Sequence, residues 1–554
     1  MTFSDFSNVP DAPVSSDLTS LKNLGQALEQ AHFTNEAIAD VLDDGAFAAL
    51  QRDQIVPARL RIEELLENPR TLESQKKLAL LISLFMLGGA LTEQELSLAL
   101  GEEAPQIMQN LRLVEPTQSE TTLAGSPQIA WRAVVDLRPH SADDGIDIWV
   151  ASDLPAHIGR ASLRKDHVLG IGHASRHLAQ FTQRKRVSKA LDLGTGCGIQ
   201  TFHLLAHCEH VIATDISERA LAFTAFNLLL NADALNLDPL KPEERVSLRL
   251  GSLLKPVSGE TFDLVVSNPP FVITPRNTSE TAQTRFTYRD GGMAGDQIVS
   301  TLVRELPTVL AEGATAQMLG NWEIPATVPA EEGSDWSARP SSWVGEESEA
   351  WFIQREELSP EQYAETWLRD SSETADPHTF EQSYRSYLID FASRGVGSIG
   401  FGMIWLRKPE TSSSHTLKLR RFEEITYPIQ QPLAPFISES VELHDAVATL
   451  TDSQLEELHL VVADDVTEER HAQPGAEHPG VILLRQGAGL RRTILESTAT
   501  AGFVSACDGE LSVGQIVGAL HALLGWEGTA EKVELLGHIR ELILQGFLRI
   551  DAGE

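Results

Sequence analysis

The chain has 554 residues, 42% hydrophobic and 22% charged, a balance that suits a soluble globular protein of about three domains. Its three cysteines, Cys197, Cys208 and Cys507, have no metal-ligand spacing, which excludes a disulfide framework and points to a reducing, cytoplasmic setting. The formal net charge of −35 raises the cost of approaching a polyanion, so local basic faces must decide any nucleic-acid contact.

Met1-Thr2-Phe3-Ser4-Asp5 has neither a basic nor an apolar leader region, so no signal peptide is expected. Residues 1–150 read as a mostly helical domain, with apolar residues at helical spacing from Leu18 to Leu113. The most apolar run, 78–92, is shorter than the ~20 residues a membrane span needs and reads as buried helix, so no membrane partner is expected. Thr92-Glu93-Gln94-Glu95 is a capping box that starts a helix after Gly88-Gly89. Two β-like runs follow, 129–137 and 146–150, around a polar turn at Ser141-Ala142-Asp143-Asp144. Helix, turn, helix and hairpin together resemble a winged helix. Eleven basic or histidine residues then fall within 160–189, among them Arg160, Arg164, Lys165, Arg184, Lys185, Arg186 and Lys189. They form either a solvated helix surface or a nucleic-acid contact.

Residues 151–410 alternate strand and helix signals, as a doubly wound α/β sheet would. Strands are predicted at 190–193, 211–214, 246–250, 262–267, 315–319, 350–354 and 397–406. After the first comes Asp192-Leu193-Gly194-Thr195-Gly196-Cys197-Gly198-Ile199, whose glycines let the backbone turn sharply beside a ligand. The second ends in Asp215, placed where an acid accepts the hydroxyl protons of a ribose. A nicotinamide dinucleotide is the rival ligand. However, Ile199 stands where its fingerprint has a third glycine, and Asp192 suits a cationic ligand end better than a pyrophosphate.

This stretch resembles the class I S-adenosylmethionine-dependent methyltransferases over about 160–410. The resemblance implies a Rossmann-like, seven-stranded domain with S-adenosylmethionine as cofactor. Asp192 and the Gly194-Thr195-Gly196 turn would hold the methionine end, Asp215 the ribose, and Ile216 would lie against the adenine. Many relatives carry an acid after the third strand. Here Gly251-Ser252-Leu253 stands there, and Ser252 offers a hydroxyl or its backbone instead.

The fourth strand runs into Asn268-Pro269-Pro270-Phe271. Two prolines fix an extended backbone and remove two amide donors, which leaves carbonyl oxygens beside the Asn268 side chain. Two acceptors suit a planar NH2 group, and Phe271 would stack on it. The motif resembles that of amino-group methyltransferases, both the adenine-N6 and guanine-N2 enzymes of DNA and RNA and the HemK-type glutamine enzymes. Thr274-Pro275 and Tyr288-Arg289-Asp290-Gly291-Gly292-Met293-Ala294-Gly295 resemble the HemK branch, whereas Phe271, where HemK prefers tyrosine, tilts toward the rRNA-modifying relatives.

Residues 325–380 interrupt the α/β rhythm with Trp336, Trp343, Trp351 and Trp367, either as a substrate-covering lid or as an insertion anchored to the sheet. From 411 a strand region leads into a second winged-helix-like domain, with Gly509-Glu510-Leu511-Ser512 before a helix and a later helix over 531–544. His203, His207, Cys208 and His210 lie where a polar helix face is expected, so no metal site is assigned. The sequence thus predicts a cytoplasmic N-methyltransferase acting on a macromolecule, with an exocyclic base amine of RNA slightly ahead of a protein glutamine amide. A non-catalytic cofactor-binding module is the alternative from another class.

Overall fold

The computed structural model describes residues 3–118, 129–156, 158, 164–276, 290–326, 335–370, 377–410 and 418–551. They group into two compact units. The first comprises 1–179, 185–343 and 357–401, and the second 180–184, 344–356 and 402–554.

The first unit opens with helices Leu18–Gln30, Asn35–Leu50, Ile55–Glu67 and Glu73–Leu81. Asp17 and Thr34 cap the first two by accepting from the Ser20 and Ala37 amides. The apolar run continues through Ile82–Met86 with Ile82, Leu84 and Phe85 fully buried. Thr92 and Glu95 form the reciprocal capping box of helix Glu93–Leu100. Helix Ala104–Asn110 follows, and strands Ala90–Thr92, Ile129–Ala133 and Val114–Gln118 form an antiparallel sheet in that order.

The run expected as one strand over 129–137 divides. Ile129–Ala133 joins that sheet, whereas Val135–Ser141 leaves it to pair with Asp147–Asp153 as a separate hairpin. The hairpin's outer edge is satisfied by two asparagines acting as a strand would. Asn227 accepts from the Ala151 amide (2.8 Å) and donates to the Ala151 carbonyl (2.9 Å), and Asn231 does the same at Trp149 (2.9 and 2.7 Å).

The central sheet of this unit comprises β1 (Val187–Leu193), β2 (Cys208–Asp215), β3 (Val246–Leu250), β4 (Phe262–Ser267) and β5 (Leu310–Pro325). All neighbours are parallel, in the order β3-β2-β1-β4-β5. Ala190, Leu191, Val211, Ala213, Val265 and Val266 are fully buried, as strands covered on both faces require. Helices α1 (Ile199–Leu205), α2 (Glu218–Leu230) and α3 (Gln297–Glu305) provide crossovers. This is a Rossmann-like α/β fold. Helix α4 (Pro360–Asp370) lies within the expected insertion and packs on α5 (Pro377–Ser393), which begins at its end and runs past it.

In the second unit, strand Glu349–Leu358 runs parallel to Arg420–Glu424. Farther along, β6 (His459–Val462), α6 (Thr498–Val504), β7 (Asp508–Ser512), α7 (Val513–Leu524), α8 (Ala530–Leu544) and β8 (Leu548–Ile550) surround a core of Phe503, Val517, Ile539 and Phe547. The three strands pair antiparallel in the order β7-β6-β8. Among the described residues no helix is long and apolar enough to cross a membrane.

Candidate functional site

Strand order reverses between β1 and β4, and in an open parallel sheet that is where the carboxyl ends part to leave a crevice. Leu193 and Ser267, the last residues of these strands, are register partners, and the Ser267 hydroxyl donates to the Leu193 carbonyl at 2.8 Å. Gly194 and Asn268 therefore leave the sheet side by side. Thr214 pairs with Leu193 and Asp215 with Leu250, so Asp215 and the Ser252-Leu253 turn come to the same edge. The fold thus brings the glycine turn, Asp215, the Ser252-Leu253 turn and the Asn268 corner to one edge of the sheet.

The glycines of the first turn do different jobs. Gly194 and Gly196 adopt φ of 80° and 58°, and a Cβ on either would meet nothing within 4 Å. They border open space. Gly198, at φ 98°, caps α1, and a Cβ there would come within 2.7 Å of the Phe202 ring. Its glycine is demanded by packing. The Gly194 and Thr195 amides both donate to the Thr214 carbonyl at 2.9 Å, which ties the turn to β2.

Asp192 is 1% exposed. Its Oδ2 accepts from the Thr195 hydroxyl (2.7 Å), the Thr201 amide (3.0 Å) and the Thr201 hydroxyl (2.7 Å), while Oδ1 is buried with no hydrogen-bond partner. Burial pushes the carboxyl up to about 6 despite these donors. One oxygen builds the turn and the other is left over. Asp215 accepts from the Gly196 amide (3.0 Å) on Oδ2 and from the Ser217 amide (2.8 Å) on Oδ1, so it too fixes the turn, and burial raises its pKa. Ile216 is 59% exposed at the rim. Ser252 is half-buried, and Leu253 adopts φ 49°, a left-handed conformation that leucine seldom takes.

At the second corner Asn268 is half-buried. The proline carbonyls are less free than the sequence implied. Pro269 O accepts from the Phe271 amide (2.8 Å) and Pro270 O from the Gly291 amide (3.1 Å), which leaves each one lone pair. Phe271 also bridges Asp290 in antiparallel fashion. Arg276 donates to both Asp290 oxygens (2.9 and 2.5 Å), and the Gly292 amide adds a third bond. Burial would raise the Asp290 carboxyl, but the Arg276 bonds outweigh it and hold it low. Tyr288 and Arg289 of this tail lie outside the described residues, as does Arg160 of the basic stretch.

The insertion reaches this corner, a feature that sequence reasoning missed. The Tyr363 hydroxyl on α4 accepts from the Ile273 amide (2.8 Å) and from Asn321 Nδ2 (3.1 Å), and Ile273 shares a buried cluster with Tyr363, Tyr387 and Phe391. Arg339 makes a two-pronged ion pair with Asp296, at the end of the glycine-rich tail, with both bonds at 2.6 Å. The tryptophans anchor: Trp336 stacks on Trp322 (5.6 Å between centroids), Trp343 is buried, and Trp367 packs on Tyr363. In the second unit Trp351 is fully buried, its indole N–H donating to Glu423. His203 Nδ1 lies 2.6 Å from Asp144 and its Nε2 3.3 Å from that of His140. Among the described residues no group of three or more such ligands could hold a metal.

Residues 169–290 match the family model described as methyltransferase small domain, and 30–124 match a domain of unknown function, DUF7059. The chain is 31% identical over 150 residues to the ribosomal protein uL3 glutamine methyltransferase of Bradyrhizobium diazoefficiens, covering 26% of this chain and 43% of that protein. It is 29% identical over 133 residues to the release factor glutamine methyltransferase of Aquifex aeolicus, covering 23% and 43%. The match therefore spans less than half the length of these relatives. Among solved structures, the T. thermophilus 16S rRNA N2 G1207 methyltransferase is similar at 14% identity and a TM-score of 0.24, covering 46% of this chain and 62% of that one.

Proposed function

We propose that the chain is an S-adenosylmethionine-dependent N-methyltransferase that transfers a methyl group to a planar NH2 nitrogen of a macromolecule. The observation that carries this reading is the register pairing of Leu193 with Ser267, which puts the glycine turn and the Asn-Pro-Pro-Phe corner on one edge at the switch point. The residues present fit the cofactor. Gly194 and Gly196 leave a cradle that any side chain would fill, Asp192 Oδ1 is an unspent buried acceptor for a cationic end, and exposed Ile216 offers an apolar rim for a base.

When bound, S-adenosylmethionine supplies a methyl already activated by its sulfonium. The remaining work is positioning, which falls to the chain's own residues. Asn268 Oδ1 accepts one proton of the acceptor NH2, and the remaining lone pair of the Pro269 carbonyl accepts the other. Phe271, pinned by its bridge to Asp290, stacks on the flat group. No strong base is needed beforehand, because the nitrogen sheds its proton after transfer.

A glutamine side-chain amide of a protein is the substrate this reading favours, supported by the glutamine methyltransferases among the relatives and by the acidic chain. An exocyclic amine of RNA is the second reading, supported by the basic stretch and by Phe271. The methyltransferase domain is assigned to 151–410, in a seven-stranded class I form with an insertion at about 325–380. Region 1–150 is a mostly helical domain with a winged-helix-like end, and 411–554 a strand region followed by a winged-helix-like domain, a reading supported by the helix-strand-helix-helix-strand order within each. Three free, buried cysteines fit a cytoplasmic setting.

The test is isothermal titration with S-adenosylmethionine, followed by tritiated-methyl labelling of cell extract split between ribonuclease and protease. Cofactor binding with label that survives ribonuclease and is released by protease is expected. Label released by ribonuclease would move the substrate to RNA. Binding with no labelled product in any fraction would make the chain a non-catalytic module.

A further inference from the structure

We propose that the outward face of α7, in the second unit, is a docking surface for a basic protein segment with apolar anchors, independent of the catalytic reading. The helix Val513-Gly514-Gln515-Ile516-Val517-Gly518-Ala519-Leu520-His521-Ala522-Leu523-Leu524 contains no Asp, Glu, Lys or Arg. Its inner face is accounted for: Val513, Ile516 and Val517 are buried in the core of the unit. Its outer face is uncharged and, over its second half, apolar as well. Leu511, just before the helix, is 45% exposed and Leu523 is 80% exposed, and Ala519 and Ala522 between them are also exposed. Ala519, Ala522 and Leu523 lie three and four residues apart on this side of the helix, Leu511 stands at the end of β7 before the helix begins, and exposed Gln515 is turned back to accept from the Ser512 amide. A surface helix normally carries charged or polar residues outward, whereas the exposed turns of this one offer only Gln515 and His521 among Ala519, Ala522, Leu523 and Leu524. Within the described chain this apolar stripe is uncovered.

The charges around the stripe state what covers it. Exposed Glu510 and Glu527 flank its two ends. Helix Asp452–Glu457 packs beside α7, the Glu456 carbonyl lying 3.1 Å from where a Gly514 Cβ would be, and it brings exposed Glu457. The exposed side of α8 adds Glu531, Glu534 and Glu541. The nearby cations are already engaged, Lys532 with Glu456 at 2.8 Å and Arg540 with Asp452 at 2.9 Å. Across 434–551 there are nineteen acidic and seven basic residues. RNA would meet this rim as one polyanion meets another. A second copy of the chain would bring the same acidic rim against itself. A protein segment with apolar side chains set among lysines or arginines satisfies both the stripe and its border.

The experiment uses the full chain and a fluorescent, helix-forming peptide of about 18 residues with leucines on one face and lysines on the other, read by anisotropy at ~0.15 M salt. The lysine peptide should bind, and the same peptide with glutamate for lysine should not. The double variant Leu511→Ser with Leu523→Ser, both exposed and outside the core, should weaken binding about tenfold or more. Glu510→Gln with Glu527→Gln should weaken it about threefold, as loss of rim charges does. Unchanged affinity in the leucine variant would overturn the proposal, because the peptide would then be sensing net charge alone. So would sedimentation showing a dimer abolished by the leucine variant, or polyuridylate competing for the same face.

Discussion

At Asn268 the structure separates holding the acceptor from holding the cofactor. Its side chain is half-buried at the corner after β4, while the glycine turn is built by Asp192, Asp215, Thr195 and Thr201. Asn268→Ala should therefore leave S-adenosylmethionine affinity within about twofold yet slow methyl transfer by ~10²-fold or more, as loss of a positioning contact can. Titration calorimetry beside a labelling assay checks it, and an equally active variant would remove the assignment. Asp192 gives a second test through its proton. Burial holds the carboxyl at about 6, above the ordinary 3.8, so the folded chain keeps a proton there that an exposed aspartate would have lost. A cationic ligand end favours the ionised form, so binding should release this proton. Affinity should be full above about pH 6 and fall as pH drops through it, by up to tenfold per unit. Asp192→Asn should flatten that profile, and calorimetry in buffers of different ionisation enthalpy counts the proton. At Gly196, φ 58° and open space predict that alanine costs about 1–2 kcal/mol of backbone strain. Its methyl group would also enter the cradle, so cofactor affinity should fall further than stability does.

At the scale of elements, the insertion acts on the acceptor corner through Tyr363. Its buried hydroxyl accepts from the Ile273 amide, two residues beyond Phe271, and from Asn321. Tyr363→Phe keeps the ring packed but strands two buried donors, at a cost of roughly 2 kcal/mol. Hydrogen exchange at the Ile273 amide should accelerate and transfer should slow, with cofactor affinity held. Unaltered exchange there would mean that the insertion merely covers the corner. The contrast between these elements explains what could be read from sequence. Both corners are local signals, a glycine run or a proline pair directly after an apolar strand, and the strand alternation placed them on one edge. Tyr363 stands 90 residues from Ile273, and nothing in its helix announces the bond. Asn227, within α2, and Asn231, just after it, complete the edge of a hairpin about 80 residues earlier, and nothing local in the sequence announces those bonds. The run 129–137 divides for a similar reason. Its two halves alternate alike in sequence, and only distant partners decide which sheet each one joins.

At the scale of the whole molecule, charge separates the substrate readings. RNA affinity grows with the number of phosphates neutralised, and each one steepens the salt dependence. The basic stretch supplies fewer free cations than its composition suggests. Arg164 is spent on Asp11 and Asp166, at 3.0 and 2.9 Å, and Lys189 on Glu260 at 2.7 Å. Among the described residues of the stretch Lys165, Arg176, Lys185 and Arg186 remain exposed, against a chain whose net charge is −35. With about four such contacts, the slope of log K against log salt for single-stranded RNA should be no steeper than about −3. The dissociation constant at ~0.15 M salt should be weaker than about 10⁻⁴ M, the loose end of non-specific binding. A filter-binding titration of polyuridylate at several salt concentrations measures both quantities. Micromolar affinity with a slope of about −5 would require a basic surface that these pairings do not provide, and it would return the substrate to RNA. Weak binding would leave a protein as the macromolecule that the acidic chain can approach without long-range repulsion.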